Sequence, residues 1–511
     1  MDATVERQNN KRIAKNTLLL YFRMLITMAV SLYTSRFILQ ILGVEDFGIY
    51  NVVGGVVGML SFLTASMSMA TQRFISFNLG LNNQDKLRRV FSTSLISHFF
   101  LAGLIVIVAE TLGLWFLFQK LQIPETRLHA AFWTYQCSVL VAAISIISVP
   151  YNAAIVAHEK MKAFAYISIF EVLAKLIVVY SLLLAPIDKL IFYGVLLAFI
   201  QICIRCIYTI YCRKNFAETK FVFVKDRKMF KEILSFVGWT IFGQVGCMAA
   251  THGENILLNM FFGPIVNAAK GVANQVNFAI NSFATNFQMA INPQITKSYA
   301  AGDMHKHYSL IYASAKFSCL LLIILSIPIL VETEHVLKLW LKIVPANTVT
   351  FVRIVLVTAI FDSTANAVAV SAQATGRIKY YQIACGITLL MILPISYVFL
   401  KKGFDAKTVL VVHLMVTMLT QCVRVYFLHR LIRFSGWEMV KKVYVPCFLV
   451  FVVALLLPVF ITTHFPSSNI RFCGNVVVSV LLTSILVLVL GMSRMERLYV
   501  HDVLKKIRSK F

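Results

Sequence analysis

Apolar residues come in blocks of about twenty along the whole chain, each bounded by a short polar stretch. A helix of roughly 20 apolar residues crosses the hydrocarbon core of a bilayer. Inside lipid the backbone must satisfy its own hydrogen bonds, so each block predicts a transmembrane helix. Fourteen such spans are expected, near 17–42, 47–77, 90–118, 131–156, 163–184, 190–211, 232–261, 265–296, 308–331, 349–374, 380–400, 408–429, 443–463 and 472–491.

The eighth block departs from the rest. Along it stand Asn267, Lys270, Asn274, Asn277, Asn281, Thr285, Gln288 and Asn292, at steps of three or four. That period places all eight on one side of a single helix, with Val, Phe, Ile, Ala and Met on the others. A polar stripe on a membrane helix must face protein or water, not lipid. It has two readings. Amides both donate and accept, which suits the hydroxyls of a sugar in a wet cavity. The same amides also glue helices together.

Composition agrees with the blocks. The 511 residues are 59% hydrophobic and 14% charged, with a mean hydropathy of +0.78. A soluble domain carries roughly 25% charged residues. The opening MDATVERQNNKRIAKN is polar and gives no sign of a cleaved signal peptide. The ten cysteines are scattered. The one close pair, Cys203 and Cys206, lies inside an apolar helix, so neither a zinc site nor a disulfide framework is expected.

The net charge of +26 raises the question of nucleic acid, and its distribution answers it. The N-terminus, the connections after even-numbered spans and the C-terminal tail hold 30 of the 48 Lys and Arg; the connections after odd-numbered spans hold 9. The positive-inside rule then puts both termini in the cytoplasm of a multi-pass membrane protein, with no nucleic-acid partner.

The two halves of the chain look alike at an offset near 220 residues. Gly43 corresponds to Gly263, Ser76-Phe77-Asn78-Leu79-Gly80 to Ser298-Tyr299-Ala300-Ala301-Gly302, and His158-Glu159-Lys160-Met161-Lys162 to Thr375-Gly376-Arg377-Ile378-Lys379. Both copies start on the same side, so the repeats are parallel. The expected fold is all-α and polytopic. Two pseudo-symmetric six-helix bundles, 1–211 and 232–430, surround a central cavity. A basic cytoplasmic linker, 212–231, joins them, and 431–511 adds two transmembrane helices and a basic tail.

Four stretches carry a family likeness. They are Leu42-Gly43-Val44-Glu45-Asp46-Phe47-Gly48-Ile49-Tyr50; Arg73-Phe74-Ile75-Ser76 with Gly80 and Lys86-Leu87-Arg88-Arg89; Pro150 with His158-Glu159-Lys160-Met161-Lys162 and Tyr166; and the run from Phe262-Gly263-Pro264 to Ala273. Together with the layout, the chain resembles the O-antigen and capsule flippases of the multidrug/oligosaccharidyl-lipid/polysaccharide exporter superfamily. The resemblance implies alternating access and no enzymatic activity. Its substrate would be oligosaccharide on undecaprenyl pyrophosphate, moved from the cytoplasmic to the periplasmic leaflet. Its other partners would be membrane lipid and polysaccharide polymerase machinery. Related lipid II flippases are similar in carrying a cation early in their eighth span, where this chain has Lys270.

The residues support the same chemistry on their own terms. A pyrophosphate calls for Lys or Arg in a low-dielectric site. Lys270, Arg73, Arg23, Arg36 and Arg353 are the candidates, with Asn274, Asn277, Asn281, Gln288 and Asn292 for the sugar. Each cation has a plainer reading as an anchor or snorkelling side chain. Glu254 lies about as far before the turn at Gly263-Pro264 as Lys270 lies after it, so the two meet across a helical hairpin. Glu254, His252 and Asp362 are candidates for coupling to a proton or sodium; the plainer reading of Glu254 and Lys270 is a static ion pair. No other cofactor is expected. Glu110, His98, Arg205, His413 and Arg424 are read as structural.

A cation-coupled multidrug exporter of the same superfamily is the alternative, and it would favour acidic and aromatic groups over amides and cations. A membrane enzyme would show a large polar loop with paired carboxylates, and the longest loop here is about twenty residues and basic. A structural scaffold would leave the stripe of the eighth span without a role.

Overall fold

The computed structural model describes residues 3–58, 61–119, 123–185, 187–222, 226–341, 344–466, 468–494 and 496–497, and among these it contains helices and no strand. Among the described residues, twelve helices are long and apolar enough to cross a membrane. They fall on twelve of the fourteen expected spans. The eighth expected span is also a helix, Pro264–Ala300, whose polar stripe lowers its hydropathy. The second is divided between two helices on either side of 59–60, which lie outside the described residues.

The described residues fall into two compact units. Unit 1 comprises Met1–Gln244 with Thr296–Asp303, and unit 2 comprises Val245–Ile295 with Met304–Phe511.

Unit 1 runs through α1 (Ala3–Gly58), α2 (Ser61–Gly80), α3 (Gln84–Val108), α4 (Leu114–Gln119), α5 (Glu125–Ala157), α6 (Met161–Ser181), α7 (Lys189–Asn215) and the first part of α8 (Arg227–Phe262). Gly43 interrupts α1 at φ +80°, a conformation open to glycine and costly for other residues, so the connection expected at 43–46 becomes a sharp bend. Helix α5 is the centre, packed on α2, α3 and α7. Its Tyr135 is buried and donates to the Ala109 carbonyl at 2.7 Å, against a π-turn over Ala109–Gly113. Within that turn, Glu110 accepts from Gln136 at 3.0 Å.

One end of unit 1 is tied by a single guanidinium. Arg127 opens α5 and donates from Nε to Asp46 Oδ1 at 2.8 Å and from Nη1 to Asp188 Oδ2 at 2.5 Å. Asp188 in turn caps α7 through the Leu190 and Ile191 amides. Burial pushes the Asp188 carboxyl up, but Arg127 and these amides override it and hold the group below its ordinary value. Arg127→Ala is expected to cost about 1–3 kcal/mol, because bidentate, partly sheltered pairs outweigh exposed ones. Thermal unfolding of the detergent-solubilised protein reads this. The Asp188 contribution is fully present at neutral pH and fades as pH falls through the lowered folded value.

Unit 2 takes the rest of α8, α9 (Pro264–Ala300) as far as Ile295, and α10 (Met304–Val331), α11 (Thr333–Leu341), α12 (Thr348–Asp362), α13 (Ala365–Ala374), α14 (Lys379–Leu390), α15 (Ile392–Lys401), α16 (Lys407–Ile432), α17 (Gly436–Met439), α18 (Val445–His464) and α19 (Asn469–Leu486). Here α10 is the central helix, and α18 and α19 pack against it. It is clamped near its middle and at its C-terminal end. Lys316 Nζ meets Glu496 Oε2 at 2.6 Å. Glu332, 3% exposed, receives Arg471 Nη2 at 3.0 Å and Asn475 Nδ2 at 2.8 Å.

The tenth span breaks between α12 and α13. Ser363 and Thr364 turn their hydroxyls back to the Ile360 and Phe361 carbonyls, competing with the backbone ladder.

Candidate functional site

The second half of α8 lies close to α14 and α15. A Cβ on Gly246 would stand 2.9 Å from the Gly386 backbone, and one on Gly253 would strike the Leu393 side chain. Ala250 completes the contact in a cluster with Ile392, Val412 and Val416. Val412 and Val416 belong to α16 and flank His413. The apolar packing therefore sets Glu254, one turn after Ala250, against that histidine. The turn at Gly263, φ +76°, folds α9 back so that Lys270 arrives from the other side.

The result is a buried trio in unit 2. Lys270 Nζ lies 3.0 Å from Glu254 Oε2, and His413 Nδ1 contacts Glu254 Oε1. The Glu254 side chain is 0% exposed and that of Lys270 is 5% exposed. His413 is partly exposed. A carboxylate between two nitrogen bases can hold a cationic partner, release it to a competing anion, or pass a proton to the imidazole. Among the described residues, no group of three or more His, Cys, Asp or Glu side chains is placed to hold a metal ion.

The other expected site residues divide. His252 is exposed and sits two residues, about 200°, around α8 from Glu254. The histidine at the carboxylate is therefore His413, read from the sequence as structural. Asp362 ends α12 at the break, half exposed, with Arg424 Nη1 at 3.4 Å. Arg424 follows His413 on α16 by eleven residues, three helical turns, so both lie on one face of that helix.

The stripe on α9 also divides. Gln288 is buried and donates to Ser318 Oγ at 3.1 Å and to the Ser363 carbonyl at 2.8 Å. It joins α9 to α10 and to the break in the tenth span. Asn274, Asn277, Asn281 and Asn292 are half-buried. The Asn267 and Asn277 side-chain oxygens are buried without a hydrogen-bond partner among the described residues.

The arginines are more occupied than the sequence suggests. Arg73 is buried, its guanidinium 4.6 Å from the Phe74 ring centroid, 4.8 Å from Phe77 and 5.6 Å from Phe236. A cation enclosed by three rings is held by cation–π attraction and is poorly open to a pyrophosphate. Arg23 lies over Phe164 at 4.8 Å. Arg353 donates to the Leu330 carbonyl at 3.1 Å and to Thr333 Oγ1 at 3.3 Å, capping the end of α10. The Arg36 side chain lies outside the described residues.

Nothing local in the sequence marks His413, 159 residues from Glu254. Its one signal is the rarity of an ionisable group in an apolar span.

A family model described as "Polysaccharide biosynthesis protein" matches residues 13–299. No curated protein matches the chain. Several solved structures share its fold. One is an outward-facing multidrug resistance MATE family transporter of the MOP superfamily, with a TM-score of 0.73 and 13% identity over 83% of this chain and 95% of that one. A MATE protein in its bent conformation gives 0.73 and 13% over 84% and 97%. A MOP superfamily transporter from Pyrococcus furiosus, described as having a binding pocket of reversed polarity, gives 0.71 and 13% over 83% and 95%.

Proposed function

The chain belongs to the polysaccharide biosynthesis protein family, a membrane family, and is built on the transporter fold of the MOP superfamily; on that premise we propose that it flips oligosaccharide linked to undecaprenyl pyrophosphate. Transport runs by alternating access from the cytoplasmic to the periplasmic leaflet of a bacterial inner membrane, with both termini cytoplasmic. The bundles 1–211 and 232–430 are the moving parts. The product feeds assembly of O-antigen, capsule or exopolysaccharide.

The observation that carries the reading is the buried Lys270–Glu254–His413 trio at the head of the α9 stripe. Anionic pyrophosphate competes with Glu254 for Lys270, and the displaced carboxylate leans on His413. Asn274, Asn277 and Asn281, further along the same helix, offer unspent amide groups to sugar hydroxyls. Exchange of a proton between Glu254 and His413 links the cycle to the membrane gradient. The alternative, cation-coupled drug export, draws on the likeness to MATE folds and on the intramembrane carboxylate.

Deleting the gene in its host and measuring lipid-linked oligosaccharide on each leaflet tests the proposal. Accumulation on the cytoplasmic side, relieved by the wild type and by Lys270→Arg but not by Lys270→Ala at equal protein level, is the expected result. Relief by Lys270→Ala as well would keep the flippase and remove the site. Normal surface polysaccharide with new sensitivity to cationic drugs would replace the proposal with drug export.

A further inference from the structure

Unit 2 has an apolar cavity of about 340 Å³ on the flank of α18. Cys319 and Ile323 of α10, Val357 and Phe361 of α12, and Val445 and Phe448 of α18 form much of its wall. Val445 and Phe448 are 48% and 62% exposed, so the cavity lies against the exterior of the unit. For a membrane-spanning helix that exterior is hydrocarbon. One end of the cavity is closed by Thr364 and Tyr444, whose oxygens lie 3.3 Å apart. Thr364 belongs to the break in the tenth span, two residues after Asp362.

The segment leading into α18 is basic. Arg430, Arg433, Lys441 and Lys442 stand there against one carboxylate, Glu438. Glu438 takes up Lys442 at 2.5 Å, which leaves Lys441 exposed one turn before the cavity. From Lys441 to the cavity-lining Phe451 is ten residues, a rise of about 15 Å at 1.5 Å per residue. That is one leaflet of a hydrocarbon core about 30 Å thick.

We propose that this flank is a binding site for one anionic phospholipid of the leaflet facing the basic loops, with an acyl chain in the cavity and the phosphate at Lys441. Three features converge on that occupant. The cavity is open to lipid and apolar throughout its depth. The cations sit at headgroup level on the same helix, where anionic lipid is favoured by about 1 kcal/mol per charge. The rise from Lys441 to the lining residue Phe451 matches a single leaflet. The acyl chain would pack beside the Tyr444–Thr364 contact, so its presence supports the geometry of the broken span. The inference is independent of the substrate proposed above.

Native mass spectrometry of the full-length protein, titrated with phosphatidylglycerol and with phosphatidylethanolamine of the same chains, tests it. The expected result is a preference for phosphatidylglycerol of about fivefold, near 1 kcal/mol by the logarithmic relation of affinity to free energy. Lys441→Gln with Lys442→Gln removes the preference and leaves weaker binding of both lipids. Val357→Phe, which fills the cavity, lowers binding of both and leaves the loop charges in place. Folding is checked by thermal unfolding, and Lys441→Gln with Lys442→Gln, exposed on the surface, serves if Val357→Phe fails that check. Equal binding of the two lipids by the wild type, or a preference unchanged by the lysine substitutions, overturns the proposal. So does selective loss of undecaprenyl phosphate binding in Val357→Phe with phosphatidylglycerol binding intact, which would make the occupant a polyprenyl chain.

Discussion

Glu254→Ala is expected to abolish transport and to lower the stability of the protein by about 3–5 kcal/mol, since it strands a buried lysine without its counter-charge. Lys270 has nowhere to go: its side chain is 5% exposed and its ion-pair partner is Glu254. The informative variant is the double one. Glu254→Gln with Lys270→Met removes both charges and keeps the volumes nearly constant, and a buried pair replaced in this way is often neutral for stability. If the trio acts only as a strut, the double variant restores both folding and export of surface polysaccharide. If the trio is the working site, it restores folding alone. Thermal unfolding and a polysaccharide assay on the same preparations separate the two, and the two single substitutions complete a double-mutant cycle. His413→Ala adds a third arm. It leaves the Lys270–Glu254 pair standing, so the proposal expects a larger loss in transport than in stability.

Gly246→Val is expected to cost about 3 kcal/mol, at the upper end of the usual range for overpacking. The reason is what a new Cβ would meet. Two atoms of Gly386, Cα and the carbonyl oxygen, stand 2.9 Å from its position, and the carbonyl carbon stands 3.3 Å away. These are backbone atoms, so no side chain can swing aside. Relief requires α8 and α14 to separate, and that would pull Glu254, two turns further along α8, away from His413. Transport should fall with stability. Gly271→Ala is the control. A Cβ there meets nothing within 4 Å, and the position is helical and exposed. Replacing a mid-helix glycine with alanine gains roughly 0.5–1 kcal/mol. The midpoint of thermal unfolding should drop for the first and hold or rise for the second.

The two cases show where the sequence speaks and where it stops. The spans are legible because membrane burial writes itself as composition: an apolar block of the right length has few other uses. The Glu254–Lys270 pair is legible for a related reason. Both residues sit near one turn, and a helical hairpin makes near neighbours of positions equidistant from it. His413 lies in a separate helix, and the partner of Glu254 across 159 residues is fixed by packing of Ala250, Val412 and Val416, which no local pattern encodes. Gln288 illustrates the converse. Its place on the stripe is visible in the sequence, but its use is decided by the carbonyl that Ser363 leaves at the break in the tenth span. That break is hidden because Ser and Thr are unremarkable in a membrane helix, unlike proline. Arg73 shows a similar limit: a cation near a span end invites an anion, and only the tertiary structure reveals the three phenylalanine rings around it.

The clamps on α10 bear on how the protein is made. Glu332 is buried at the end of α10, and its partners, Arg471 and Asn475, come 139 and 143 residues later. At ~5–20 residues per second a ribosome needs on the order of ten seconds to reach them. Through that interval the ninth span ends on a carboxylate whose partners have not yet been made. Lys316, whose partner Glu496 lies beyond the last span, waits longer still. A chain that stalls before residue 471 therefore leaves both charges without the partners they have in the finished fold.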